Sequence, residues 1–171
     1  MKTKRFKITR IIILLLVVCV ISVKVYTKTG NEDTAPKEML PEITARQYLG
    51  DAYTVVNDYT KGKTVVLFFS PECGICETEL NEILKNRDSY PNNRWIFISF
   101  AFMEDEMEYF LENTPIDKLE NSVILLEDSP KYHTLYQVVG PPAIFIYDKE
   151  GVLVNSNYGG MESSVLVDWL K

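Results

Sequence analysis

Two cysteines three residues apart, in Cys73-Gly74-Ile75-Cys76, offer the most chemistry in this chain. A thiolate is both a nucleophile and a metal ligand, and two thiols at this spacing interconvert between dithiol and disulfide. What decides between these uses is where the pair sits. Before it, Thr64-Val65-Val66-Leu67-Phe68-Phe69 is a continuous apolar, β-branched and aromatic run, the pattern of a strand buried on both faces. Ser70-Pro71-Glu72 breaks that run. From Cys73 to about Asp88 the pattern turns helical, with Cys76, Leu80, Ile83, Leu84 and Arg87 at spacings of three and four. The pair therefore lies where a buried strand turns into a helix. Amides of a helix's first turn lack backbone partners and favour negative charge. A thiolate at Cys73 is stabilised there and is nucleophilic at neutral pH. Cys76, three residues on, faces the same way and is placed to attack a mixed disulfide at Cys73, releasing the partner reduced.

Other uses of the pair fit less well. A structural zinc needs two further thiolate or imidazole ligands, and outside the pair the body offers only His133. A purely structural Cys73–Cys76 bridge closes a very small loop and so constrains the unfolded chain little. His133 itself reads as a surface or helix residue rather than a ligand. A peroxiredoxin-type Pro-x-x-x-Thr-x-x-Cys segment is absent, because Pro71 stands only two residues before Cys73.

The elements that must position the pair alternate along the chain. Arg94 to Phe102 reads as a second central strand, and Glu104 to Asn113 as an amphipathic helix with Met107, Phe110 and Leu111 on one side, ending before Pro115. Ser122 to Leu126 is a short strand and Pro130 to Val138 a short helix. Ala143 to Tyr147 and Val152 to Asn155 form a hairpin about the turn Asp148-Lys149-Glu150-Gly151. Glu162 to Leu170 closes the chain as a helix. Residues 42–60 read only as β and loop. The aromatic residues Phe68, Phe69, Trp95, Phe97, Phe100, Phe102 and Phe145 are expected in the core. Strands alternating with helices predict an α/β fold, a mixed sheet covered on both faces.

On these residues the chain resembles the thioredoxin-like superfamily. Phe68-Phe69-Ser70-Pro71-Glu72-Cys73-Gly74-Ile75-Cys76 is similar to its active-site segment. Val139-Gly140-Pro141-Pro142-Ala143-Ile144-Phe145-Ile146-Tyr147-Asp148 is similar to its second signature. The subgroup it resembles most is the membrane-tethered TlpA/ResA-like thiol–disulfide oxidoreductases, over residues 42–171. The resemblance implies Cys73 as attacking and Cys76 as resolving cysteine, and Pro142 as a cis-proline facing the pair. It implies that the carbonyl of Pro141, which has no N–H to donate, accepts from a bound peptide. It further implies a carboxylate at Glu79 assisting proton transfer, against the plainer reading of Glu79 as one solvated helix glutamate among Glu77, Glu79 and Glu82. No cofactor and no metal is implied. The partners implied are an exported protein with a disulfide or dithiol and a membrane electron donor. The competing class is a non-catalytic peptide- or metal-binding module of the same fold, such as a copper chaperone, although those relatives usually separate their cysteines by three residues. There are departures. Glu72 replaces the common Trp before the first cysteine, Leu67 stands where classical thioredoxins bury an Asp, Gly74-Ile75 lacks the common proline, and Ala143 replaces the usual Thr.

Charge and hydropathy place this domain. Residues 1–28 hold seven basic side chains and no acid, leaving 11 basic against 24 acidic side chains in the remainder, a balance of −13. So acidic a body excludes a nucleic-acid partner, which needs a basic surface. The run Ile11–Val23 is uncharged, and Val25 and Tyr26 extend it past Lys24, which can snorkel. No small-x-small cleavage site follows, so residues 1–26 are expected to be an uncleaved signal anchor, with a cleaved signal peptide as the competitor. Cys19 lies within it as an apolar side chain. Five basic residues before the run predict an N-terminus held in the bacterial cytoplasm and a single pass with the body outside, in periplasm or beyond the cell. Residues 27–41 are expected to be a linker and 42–171 the thioredoxin-like domain. Exported thiols meet an oxidising compartment, where disulfides form and persist.

Overall fold

The computed structural model of the protein describes residues 38–55 and 58–171. The expected anchor and most of the expected linker lie outside these residues. Among the described residues no helix is long and apolar enough to cross a membrane.

Seven strands make one mixed sheet: β1 (Ile43–Gln47), β2 (Ala52–Val55), β3 (Thr64–Phe68), β4 (Arg94–Phe100), β5 (Ser122–Glu127), β6 (Ala143–Tyr147) and β7 (Leu153–Tyr158). Their spatial order is β2-β1-β5-β4-β3-β6-β7. β3, β4 and β5 run parallel, whereas β6 and β7, and β1 and β2, add antiparallel at the two sides. The helices are α1 (Gly74–Lys85), α2 (Glu104–Asn113), α3 (Lys131–Leu135) and α4 (Ser163–Leu170).

After Thr64, β3 is apolar throughout because each of its side chains enters one of two cores. Val65 and Leu67, with Phe69 just beyond the strand, join Leu80 and Ile83 of α1, Met107 and Phe110 of α2, and Leu166 and Leu170 of α4. Val66 and Phe68 point to the opposite face, into a core with Ile96, Ile98, Leu125, Tyr132, Tyr136 and Phe145. Alternation along a strand sends neighbours to opposite faces, so a strand buried on both sides shows no polar beat. Burying each such large side chain is worth about 1.5–3 kcal/mol. Deep burial also pushes the Tyr147 hydroxyl up to about 12, and raises that of Tyr136, whose OH accepts from Tyr147 at 3.2 Å.

The structure corrects several sequence readings. β4 ends at Phe100, and Ala101–Met103 forms a 3-10 turn. Phe102 is therefore outside the core, 75% exposed, and stacks on Phe100 with centroids 5.1 Å apart. Apolar side chains alone extended the expected strand, but the chain leaves the sheet to begin the acid-rich first turn of α2. Residues 43–55 form the β1–β2 hairpin, whose turn places Leu49 at φ 56 and whose β1 adds to β5 through Arg46↔Leu126. β7 extends to Tyr158, three residues past the expected strand, because Asn155-Ser156-Asn157 pairs by backbone and shows no apolar pattern. Pairing with the body also begins before residue 42. Leu153 N donates to Glu38 O at 2.7 Å and Leu40 N to Gly151 O at 2.8 Å, with Leu40 buried. His133 is in a helix but not on the surface, being only 6% exposed.

Candidate active site

The buried strand β3 delivers the chain to the cysteine pair beyond its C-terminal end, in the interior of the strand order. Phe69 N donates to Ile98 O of β4 at 3.0 Å, which holds the chain in line for one residue more. Ser70 then turns it, since its carbonyl accepts from Cys73 N at 3.1 Å. Cys73 is the N-cap of α1, with extended backbone angles, and its Sγ accepts from Cys76 N at 3.2 Å. The sulfur thus takes the place usually held by a capping oxygen and meets one of the helix's unpaired amides.

Cys73 and Cys76 are joined as a disulfide, with Cα atoms 5.2 Å apart. The two sulfurs are not equivalent. Cys76 is fully buried, packed with Leu80 and Phe97, whereas Cys73 is only partly buried. An incoming thiol or disulfide meets Cys73 first. Glu72, the departure before the first cysteine, is exposed, and Leu67 is 1% exposed within the core.

Opposite the pair lies the segment leading into β6. Its Pro141–Pro142 peptide is cis. The Pro141 carbonyl oxygen is 3.8 Å from Cys73 Sγ, and Pro142 O accepts from Gly159 N at 2.8 Å. This segment is fixed to α3 by Val138 N, which donates to His133 O at 2.8 Å.

Glu79 departs from the solvated reading. It is 6% exposed, and its Oε1 accepts from Met161 N at 2.5 Å. Burial holds its carboxyl above the usual carboxylate range, while the Met161 hydrogen bond pulls the other way. A carboxyl raised by burial binds its proton more tightly in the folded than in the unfolded chain. It therefore favours folding below the ordinary carboxylate value, and that contribution is lost as pH rises through the raised folded value. Glu79→Gln keeps an oxygen for Met161 N and removes the titration. The stability difference between variant and wild type, from urea unfolding, should shift in favour of the variant between about pH 4 and pH 7. Parallel pH profiles would contradict this.

Two parts of the site carried no signal in the sequence. The Gly159-Gly160-Met161 loop closes over the start of α1, so tightly that a Cβ at Gly160 would lie 2.8 Å from Ile75 Cγ2. The second is a buried pair, Glu127 with His133 Nδ1, close beneath the Pro141 segment. A glycine pair marks a turn but not what the turn covers. Glu127 and His133 match no spacing motif. Among the described residues no group of three metal-binding side chains occurs.

A buried strand leading to a dithiol pair that caps a helix, faced by a cis X-Pro ahead of an antiparallel hairpin, defines a thioredoxin-like fold of the thiol–disulfide oxidoreductase class. The chain belongs to the AhpC/TSA family, whose model matches residues 36–156. Solved structures agree on the fold. The thioredoxin domain of a thiol-disulfide oxidoreductase from Bacteroides vulgatus is 25% identical, with a TM-score of 0.61 over 80% of this chain and 97% of that one. StoA from Bacillus subtilis is 18% identical, with a TM-score of 0.59 over 79% of this chain and 100% of that one. A secreted disulfide oxidoreductase from Mycobacterium tuberculosis is 19% identical, with a TM-score of 0.61 over 75% and 93%. No curated protein matches the chain.

Proposed function

We propose that this protein is a membrane-anchored thiol–disulfide oxidoreductase whose domain lies outside the cytoplasm and reduces disulfides of exported proteins. The observation that carries the reading is the asymmetry of the pair, an accessible Cys73 at a helix N-cap beside a fully buried Cys76. In the reduced protein the Cys73 thiolate attacks one sulfur of the partner's disulfide. A Cys73–partner disulfide forms, and the other partner sulfur leaves as a thiolate and takes up a proton. The Cys76 thiolate then attacks Cys73 Sγ, the mixed disulfide breaks, and the partner leaves with its second thiol. The partner has gained two electrons and the protein holds the Cys73–Cys76 disulfide. A dithiol donor at the membrane restores the pair. Glu79, one helical turn after Cys76, is the group that exchanges the Cys76 proton, a role suited to a carboxyl raised by burial. The Pro141 carbonyl accepts a backbone N–H of the bound partner, and Pro142 fixes its position.

The apolar run at 11–26 with its basic flank supports the anchor and the outward orientation. One protein of the same fold, the mycobacterial oxidoreductase, is described as secreted, which supports the compartment. The test is the reduction potential of Cys73–Cys76, measured in the full-length protein in detergent against defined dithiol buffers. A value near or below about −250 mV is expected for a reductant fed from the membrane. A value near about −120 mV would overturn the reductive direction and identify an oxidant.

A further inference from the structure

The charged side chains near the cysteines differ in sign from those at the far end of the sheet. Three segments meet around Cys73. Residues 70–77 carry the cysteines, residues 138–142 set the Pro141 carbonyl 3.8 Å from Cys73 Sγ, and residues 159–162 close on α1 through Met161 N and Glu79. Every charged side chain on these segments is an exposed carboxylate: Glu72, Glu77 and Glu162. None of the three holds a Lys, Arg or His. Lysines gather elsewhere. Lys61, Lys63, Lys149 and Lys171 line one cavity of about 470 Å³ with Asp148 and Glu150, beside the start of β3 and the end of β6. β6 runs antiparallel to β3, so these two points share the end of the sheet remote from Cys73. An acidic surface that served solubility alone would not need this separation. Charge of one sign gathered round a reacting centre steers and selects what approaches it.

Glu72 is the carboxylate nearest in the chain to the attacking cysteine, with its Cα about 3.8 Å from that of Cys73. Ser70 fixes the backbone here. Its Oγ accepts from Glu72 N at 3.4 Å, and its carbonyl accepts from Cys73 N at 3.1 Å. The Glu72 side chain is exposed, and among the described residues its carboxylate is bonded to nothing. Glu162, by contrast, accepts from Ser164 Oγ at 2.9 Å. Glu72 thus presents an unneutralised charge from a fixed point beside the reacting sulfur.

A polypeptide joined to Cys73 lies between this carboxylate and the Pro141 segment, which carries no charge. The residue beside its cysteine is one peptide step from the new bond. A Lys or Arg there can extend its long side chain to the Glu72 carboxylate, whereas an Asp or Glu there is repelled. We propose that Glu72 is a specificity-determining residue that selects partner polypeptides with a Lys or Arg beside the reacting cysteine. The inference rests on the thiol–disulfide exchange proposed above and adds a partner class to it.

The test uses the reduced full-length protein in uncharged detergent and disulfide-linked dimers of short peptides, each with one cysteine flanked by Lys, Ser or Asp. The rate of peptide-thiol release is divided by the rate at which reduced dithiothreitol cleaves the same peptide. This normalisation removes each peptide's own reactivity and the attraction of any thiolate for a base. At 0.01 M salt, where the Debye length is about 30 Å, the Lys peptide should exceed the Asp peptide at least about fivefold, with Ser between them. At 1 M salt, where it is about 3 Å, the difference should fall below about twofold. Glu72→Gln should reduce the low-salt preference to about half or less, and Glu72→Lys should reverse it. The preference compares peptides on one protein, so any change these variants make in Cys73 reactivity cancels. Asp88→Lys, on the exposed 3-10 turn before β4, changes net charge as much as Glu72→Lys and should leave the preference in place. Equal normalised rates in the wild type, a preference that survives Glu72→Lys, or an equal loss in Asp88→Lys would overturn selection by Glu72. Failure of the wild-type protein to exchange even with oxidised dithiothreitol would instead overturn the proposed activity.

Discussion

Cys76→Ser is expected to hold partner polypeptides covalently on Cys73, while Cys73→Ser traps none and loses exchange by about a thousandfold or more. The expectation follows from the two environments of the pair. Cys73 is partly open to solvent, and its sulfur caps α1 by accepting from an amide, so its thiolate is both reachable and stabilised. Cys76 is fully buried among core side chains, and a bulky partner disulfide cannot approach it. With Cys76 replaced, the first attack still runs. The partner's leaving sulfur departs, but no second thiolate lies within reach to break the mixed disulfide. The adduct then persists until an added dithiol releases it. Intact-protein mass spectrometry after incubation with a disulfide-containing polypeptide reads the result directly. Adducts on Cys73→Ser rather than Cys76→Ser would reverse the two roles. Equal adducts on both variants would mean that burial does not direct the attack.

The parts of this site nearest the cysteines were legible in the sequence because local patterns determine them. A run buried on both faces needs no periodicity to be seen as a strand, and Ser70-Pro71-Glu72 marks where it stops. The switch to threes and fours after Cys73 is a helix's own signature. The cis peptide observed at Pro141–Pro142 was expected from family resemblance alone. Less of the periphery could be read. β1 and β2 are short and mix polar with apolar side chains, and their place in the sheet comes from the backbone pairing of β1 with β5 and of β2 with β1. Phe102 looked like a core residue because hydrophobicity does not say where a strand leaves its sheet. Glu79 looked like one of three helix glutamates until Met161 closed over it. That burial depends on a loop more than eighty residues away, to which no spacing rule refers. Glu127 and His133 are hidden for the same reason. A carboxylate ending a strand and an imidazole six residues later become partners only once β5 and α3 are packed.

Removing that carboxylate should have the largest effect on stability of any single change discussed. Glu127→Ala is expected to destabilise the protein by roughly 3–5 kcal/mol, the range for breaking one side of a buried hydrogen-bonded pair. Glu127 is 4% exposed and accepts from Tyr132 N at 2.8 Å, from His133 N at 3.4 Å and from His133 Nδ1. α3 has only five residues, and its N-cap, Pro130, makes no side-chain bond to the first turn. Alanine therefore strands two backbone N–H groups and an imidazole away from water, each costing on the order of 1–3 kcal/mol. Glu127→Gln retains one acceptor oxygen but turns an NH₂ towards these donors, so it should fall between alanine and wild type. Denaturant midpoints at constant m read the three proteins. A loss below about 1 kcal/mol for alanine would mean that water or a shifted side chain takes over the carboxylate's bonds. The loss should not be spread evenly. α3 carries Val138 and, through it, the Pro141 carbonyl at Cys73. Amide exchange should therefore quicken first across residues 131–142, ahead of β3 and β4, which are secured by both cores. Exchange with a polypeptide should then suffer more than exchange with dithiothreitol, because only the polypeptide needs the segment that α3 holds in place.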